Sequence, residues 1–129
     1  MDALRRVQLT FPLNNLALAA AQASLPLQER VAERARLNAL GRERFYAGFS
    51  RLGLEFVPSQ ANFVLVDVGR DALEVSRQLT RQGILVRPGS QYNYPTHVRV
   101  TVGLPEENEL LLAALEAIVR GEAGADGSL

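Results

Sequence analysis

The 129-residue sequence contains no lysine, and all fourteen of its positively charged residues are arginine. A lysine amine can lose its proton near neutral pH and attack a carbonyl carbon, whereas a guanidinium stays charged and only donates hydrogen bonds. A side chain of this protein therefore cannot form an imine with an aldehyde. Binding of anions stays open, since the planar guanidinium matches carboxylates and phosphates.

Cysteine is absent as well, and His97 is the only histidine. Disulfides and thiolate metal sites are therefore excluded, and a reducing cytoplasm is the default expectation for the compartment. One histidine cannot build a metal cluster by itself, so we predict no metal site. We assign no role to His97, because a lone histidine in a loop-like stretch is weak evidence of a site.

Long apolar runs and clustered charges are also missing. No apolar run approaches the ~20 residues that a membrane span requires, and no secretory signal opens the sequence. The formal net charge is zero, and the arginines are scattered from Arg5 to Arg120. A nucleic-acid binder usually gathers its basic residues on one segment or face. We therefore expect neither a membrane nor a nucleic acid as a partner.

Helical patterns occupy the first part of the chain, whose length allows one hydrophobic core but not two ordinary domains. Residues 14–24 are rich in alanine and leucine on nearly every side, which is typical of a helix that is covered all round. Pro26 then predicts a restart, and a long helix follows to about Leu52. Apolar residues at helical spacing predict that both ends of this helix are buried: Leu27, Val31, Phe45, Phe49 and Leu52.

The middle of the chain changes to the patterns of strands. Residues 61–68 (ANFVLVDV) predict a central strand, because both faces are apolar and β-branched or aromatic residues dominate. Residues 84–87 predict a short strand that ends before Pro88. Residues 98–102 (VRVTV) alternate strictly, which indicates a strand with one buried face.

Two further helices are indicated by their end signals. Asp71 followed by Glu74 is typical of a helix start, and Pro105 suits the first turn of a last helix that ends near Gly121. Residues 121–129 have nothing to bury and are predicted to be a disordered tail. The sequence therefore predicts an α+β fold, in which long N-terminal helices and two further helices pack on a small mixed or antiparallel sheet of three to four strands.

Two arginines, Arg87 and Arg99, stand at strand ends and are the residues best suited to bind a ligand. Arginine in a β-branched strand is expected to have a partner for its planar fork, and two such forks can hold a dianion. The alternative is that Arg99 lines the solvated face of an edge strand. The residue pattern alone leaves both interpretations open.

Three blocks of sequence extend the interpretation beyond these arginines. Residues 58–66 (PSQANFVLV), 83–89 (GILVRPG) and 98–108 (VRVTVGLPEEN) resemble, in order and in spacing, the C-terminal part of histidinol-phosphate aminotransferases. The similarity covers roughly residues 3–120. These enzymes belong to the fold-type I pyridoxal-phosphate enzymes, in which a large domain holds the cofactor and a small C-terminal domain closes over the substrate.

The resemblance implies a domain organisation and a set of partners. Residues 26–120 would be the small aminotransferase domain, and residues 1–25 a connecting helix that packs on a large domain absent from this sequence. The parent would be a homodimer that uses pyridoxal 5'-phosphate in histidine biosynthesis. The family's catalytic lysine and cofactor ligands lie upstream of the matched region. The chain alone is therefore expected to be inactive and to bind no cofactor.

Three substrate-binding residues follow from the same resemblance. Arg99 is similar to the arginine that binds the substrate carboxylate, and Arg87 to a second arginine that meets the phosphate of histidinol phosphate. Asn62 lies in the family's Asn-Phe block and is assigned to the substrate site with them. The implied reaction moves an amino group between L-histidinol phosphate, or a related amine, and 2-oxoglutarate.

One departure from the family pattern leaves alternatives open. Pro12 stands where the family usually has asparagine, in a stretch that borders the active-site entrance. A parent similar to phosphothreonine decarboxylases is therefore an alternative. A free-standing module that binds an anion or a protein without catalysis is another.

Overall fold

A computed structural model describes residues 13–121. The chain divides into two compact units, Met1–Arg34 and Ala35–Leu129. Arg5 and Pro12 lie outside the described residues, as does the predicted tail beyond residue 121. Along residues 13–121, no helix is both long enough and apolar enough to cross a bilayer.

The described part of the first unit is helical. Helix α1 (Asn15–Ser24) begins after Asn14, whose side-chain oxygen accepts a hydrogen bond from the Ala17 N–H at 2.8 Å and so caps the first turn. None of its residues is buried. The predicted helix is thus confirmed, and its apolar side chains face outward.

Helix α2 (Gln28–Arg51) starts two residues after Pro26, which agrees with the predicted restart of the helix at this proline. Leu27 and Val31 near its start are 47% and 58% exposed, so the prediction that this end is buried is wrong for the chain as described. Helical spacing marks an apolar stripe, but burial also needs a second layer of side chains to cover it. At the other end the prediction is confirmed for Phe45 and Phe49, which are fully buried, whereas Leu52 is only partly buried.

The second unit contains an antiparallel sheet and confirms the α+β class. The sheet has the order β1-β2-β4-β3. Its strands are β1 (Phe56–Val57), β2 (Phe63–Asp67), β3 (Arg87–Pro88) and β4 (His97–Thr101). The central position predicted for residues 61–68 is correct, since β2 pairs on both sides. The strand predicted at 84–87 is shorter and later, because its pairing with β4 begins only at Arg87.

Helices cover one face of this sheet. Strands β2 and β4 alternate buried and less buried residues, and their buried members are fully or almost fully enclosed valines: Val64, Val66, Val98 and Val100. Helix α3 (Ala72–Arg81) and helix α4 (Pro105–Arg120) complete the same core. The opposite face of the sheet carries partly or fully exposed side chains, Arg99 among them.

Two glycines allow α2 to approach its neighbours closely. A Cβ atom at Gly48 would lie 2.5 Å from a methyl carbon of Leu112 on α4, and one at Gly41 would overlap the side chain of Val102. These two glycines are seven residues apart and lie on the same side of the helix. Close packing along this side fixes α2 against α4 and against the end of β4.

The predicted helix ends are present. Asp71 caps α3 by accepting a hydrogen bond from the Glu74 N–H at 2.8 Å. Pro105 is the first residue of α4, and Gly121 ends that helix with a φ of 82°, a left-handed conformation that favours glycine. The local signals therefore located these helices correctly.

Candidate functional site

Arg87 and Arg99 are directly opposed partners on the adjacent strands β3 and β4. Opposed residues of an antiparallel pair point to the same side of a sheet, and here both arginines line one cavity of about 260 Å³. The remaining lining is mostly aromatic or apolar: Phe63, Leu65, Pro88, Gly89, Tyr92 and Tyr94. The cavity lies on the sheet face that carries Arg99, opposite the valine core.

The guanidinium of Arg99 is held against an aromatic ring and has no anionic partner within residues 13–121. Its central carbon lies 5.0 Å from the centroid of the Phe63 ring. Its Nε atom is buried, and none of the described residues accepts a hydrogen bond from it. No described carboxylate forms an ion pair with Arg99 or Arg87 either. The two positive charges are therefore available to an anion.

A tight turn after β3 brings the two tyrosines to the cavity. The Gly89 N–H donates to the His97 carbonyl at 2.8 Å, and the Gly89 carbonyl accepts from the N–H groups of Tyr92 and Tyr94. A Cβ atom at Gly89 would lie 2.8 Å from the Tyr94 carbonyl oxygen, so only glycine allows this approach. A short 3₁₀ turn, Ser90–Tyr92, follows. The turn therefore forms one wall of the cavity.

A second polar pair, Asp67 and His97, lies on the same sheet face but outside the cavity lining. The two residues are opposed on β2 and β4, and His97 Nε2 lies 3.9 Å from Asp67 Oδ2. The Gly69 N–H donates to Asp67 Oδ1 at 2.9 Å and is the main cause that lowers the pKa of this carboxyl. The Thr96 hydroxyl and His97 lower the pKa further, against partial burial.

His97 has a structural contact that its sequence context did not reveal. The ring of Tyr94 lies 5.3 Å from the His97 ring and meets it edge-on. Since Tyr94 also lines the cavity, His97 contacts a residue of the cavity wall.

The structure brings two of the three predicted site residues together. Asn62 is exposed, one residue before β2, and it is absent from the cavity lining. Its backbone carbonyl accepts a hydrogen bond from the Val102 N–H at 2.8 Å. The assignment of Asn62 to the substrate site stays a prediction.

Three aromatic residues of the lining were not predicted from the sequence. Phe63 could have been found by alternation, because it stands two residues before Leu65, the partner of Arg99. Tyr92 and Tyr94 lie in a loop, where no periodicity indicates direction. Only the turn at Gly89 brings them to the arginines.

A larger cavity of about 410 Å³ lies beside α4. Its lining contains Glu107 and no arginine. An anion would meet no positive charge among these described lining residues, so the smaller cavity is the candidate site.

Comparisons with known proteins identify the family of the chain. The family model for aminotransferase class I and II matches residues 1–115. Histidinol-phosphate aminotransferase 2 of Pseudomonas fluorescens is 46% identical over 118 residues, which cover 92% of this chain and 32% of that protein. Histidinol-phosphate aminotransferase of Symbiobacterium thermophilum is 50% identical over 107 residues, which cover 83% of this chain and 30% of that protein.

A solved structure shows the same fold. The crystal structure of histidinol-phosphate aminotransferase from Sinorhizobium meliloti, in complex with pyridoxal-5'-phosphate, superposes with a TM-score of 0.74 at 29% identity. The superposition covers 94% of this chain and 34% of that one. The chain thus spans about a third of the length of the curated relatives it matches. By the extent of the family match, the chain belongs to the class I and II aminotransferases.

Proposed function

We propose that this chain is the substrate-anion-binding part of an aminotransferase that moves an amino group between L-histidinol phosphate, or a related amine, and 2-oxoglutarate. The observation that carries the proposal is the pair of arginines in a cavity with aromatic walls, where residues 13–121 supply neither arginine with an anionic partner. The names of the relatives supply the substrate and the role in histidine biosynthesis.

The chemical contribution of the chain is positioning. Two guanidinium groups can bind a phosphate dianion or a carboxylate through parallel N–H donors, which fixes the direction of the ligand as well as its place. Fixing the anionic end holds the reacting amine in one geometry, and this lowers the entropic part of the barrier. Asn62 is proposed to contact the substrate from the edge of the site.

The cofactor is proposed to be pyridoxal 5'-phosphate, held outside this chain. The cofactor supplies an aldehyde for amine exchange, and an aldehyde of this kind is held by a lysine amine. The 129 residues include no lysine, so they do not fit the cofactor's attachment site. The chain alone is accordingly proposed to be inactive.

Residues 1–25 are proposed to pack on the domain that holds the cofactor, and residues 26–120 to form the small domain. Leu16 of α1 is 82% exposed, and Leu25 just after this helix is 69% exposed. Leucines exposed to this extent on an alanine-rich helix favour a cover. We propose further that the complete enzyme, meaning the polypeptide that joins both domains, is a homodimer.

The test is steady-state kinetics of the complete enzyme with L-histidinol phosphate and 2-oxoglutarate. Arg99→Ala is expected to raise KM about 30-fold or more, because loss of one partner of a charge-assisted pair costs about 2–5 kcal/mol. The matched control is Arg77→Ala, which removes an exposed arginine of α3 and should leave KM unchanged. An Arg99→Ala enzyme with unchanged KM would remove Arg99 from the site.

The same assay tests the choice of reaction. Transfer of the amino group from L-histidinol phosphate supports the proposal. Release of carbon dioxide from O-phospho-L-threonine, without amino transfer from L-histidinol phosphate, would contradict it.

A further inference from the structure

We propose that Phe63 is a positioning residue, whose ring holds the Arg99 guanidinium in place for the substrate anion without neutralising its charge. The inference rests on the proposed anion-binding role of Arg99. It concerns a different residue, and one that does not itself bind the anion.

The placement of the two side chains follows from the sheet register. Phe63 of β2 is opposed to Thr101, and Arg99 of β4 is opposed to Leu65. Phe63 and Arg99 are therefore diagonal neighbours on one face, a spacing that aromatic and long side chains can bridge. The guanidinium carbon lies over the Phe63 ring at 5.0 Å from its centroid, within the range of a cation–π contact.

The ring contact matters because no polar group among residues 13–121 fixes the Arg99 guanidinium. A guanidinium is usually fixed by a carboxylate, which would also cancel its charge and compete with the substrate anion. The Nε atom of Arg99 is buried without an acceptor in the described chain. The negative face of an aromatic ring attracts the cation and contains no group that competes for the anion.

Arg87 acts on the Arg99 side chain in the same direction as the ring. It is the cross-strand partner of Arg99, and like charges in opposed positions repel each other. The repulsion pushes the Arg99 guanidinium away from Arg87, toward the side of β4 on which β2 lies. The ring of Phe63 lies on β2, on the opposite side of β4 from Arg87, and attracts the guanidinium there.

The decisive experiment reduces the negative electrostatic potential on the face of the Phe63 ring and nearly preserves the shape of the ring. Phe63 in the complete enzyme is replaced by 4-fluorophenylalanine and by 3,4,5-trifluorophenylalanine, and KM and kcat for L-histidinol phosphate are measured. We expect KM to rise stepwise with fluorination, to about three- to tenfold for the trifluoro ring, with kcat within twofold. A KM that does not change along the series would overturn the proposal.

Natural substitutions give a second test with a matched control. Phe63→Leu should raise KM about three- to tenfold. Phe63→Tyr should keep KM close to the wild-type value, since tyrosine retains an aromatic ring. Phe56→Leu makes the same change on β1, where the ring stacks on Tyr46 instead, and should leave KM unchanged. Equal changes in KM for Phe63→Leu and Phe56→Leu would contradict a positioning role.

The Arg99→Ala enzyme separates this inference from the proposed function. If Arg99→Ala leaves KM unchanged, the anion-binding role itself fails. If Arg99→Ala raises KM while fluorination has no effect, Arg99 keeps its role and only the inference about Phe63 is wrong.

Discussion

Arg87 and Arg99 oppose each other across β3 and β4, although like charges in this position destabilise a sheet by about 0.2–1 kcal/mol. Within residues 13–121 no carboxylate forms an ion pair with either of them. In the absence of ligand, a site that binds an anion retains this repulsion between its two arginines. A bound anion offsets the repulsion.

The first prediction concerns this repulsion. Arg87→Gln should raise the thermal midpoint of the chain by roughly two to four degrees in buffer without multivalent anions, since one of the opposed charges is removed. Millimolar phosphate should raise the midpoint of the wild-type chain more than that of Arg87→Gln. Differential scanning calorimetry at both conditions checks this. An Arg87→Gln chain that melts lower than wild type without phosphate would contradict the account.

Asp67 predicts how stability depends on pH. Its folded pKa is lowered, mainly by the Gly69 N–H, so its carboxylate stabilises the fold above the ordinary aspartate pKa. That contribution is lost as the pH falls through the lower, folded pKa. Asp67→Asn should therefore cost roughly 1 kcal/mol at pH 7 and progressively less below pH 4. Urea unfolding of both chains at several pH values measures the difference, and a cost that does not vary with pH would refute the assignment.

Gly48 predicts the effect of overpacking between α2 and α4. Gly48→Ala places a methyl group 2.5 Å from Leu112, and we expect a loss of about 1–3 kcal/mol in the free energy of unfolding. Ser50→Ala, on an exposed position of the same helix, is the control and should not destabilise the chain. A Gly48→Ala chain as stable as the control would show that the two helices can separate without cost.

Asn108 tests the support of β4, the strand that carries Arg99. This side chain is buried, accepts a hydrogen bond from the Gly103 N–H at 2.9 Å and donates to the Gly103 carbonyl at 3.2 Å. Asn108→Asp keeps the acceptor but directs a carboxylate at a carbonyl oxygen, so it should cost about 2 kcal/mol or more near neutral pH. Chemical denaturation measures the loss, and equal stability of variant and wild type would contradict these contacts.

The fold could be predicted from the sequence where the signals are local. The apolar run of β2, the alternation along β4, the cap at Asp71 and the glycine at 121 are signals from neighbouring residues, and the elements predicted from them are confirmed. Burial of Leu27 and Val31 was predicted wrongly, because helical spacing shows that a stripe is apolar but not whether another layer covers it.

The site could be predicted only in part. Arg87 and Arg99 stand out by composition, but their opposition depends on the register of β3 against β4, which the eleven intervening positions do not reveal. Tyr92 and Tyr94 reach the cavity because the chain turns at Gly89. A hydrogen bond from the Gly89 N–H to the carbonyl of His97, eight residues later, holds this turn. Loop residues of this kind follow from tertiary structure and not from sequence periodicity.

The most direct measurement compares a substrate that carries the anionic phosphate with one that lacks it, in enzymes with and without each arginine. In the complete enzyme, kcat/KM is determined for L-histidinol phosphate and for L-histidinol, which lacks the phosphate, in wild type, Arg87→Ala and Arg99→Ala. If the two arginines bind the substrate's anion, wild type strongly prefers the phosphorylated amine. Each substitution then lowers that preference about tenfold or more, which corresponds to about 1.4 kcal/mol. An unchanged preference in both variants would contradict the account.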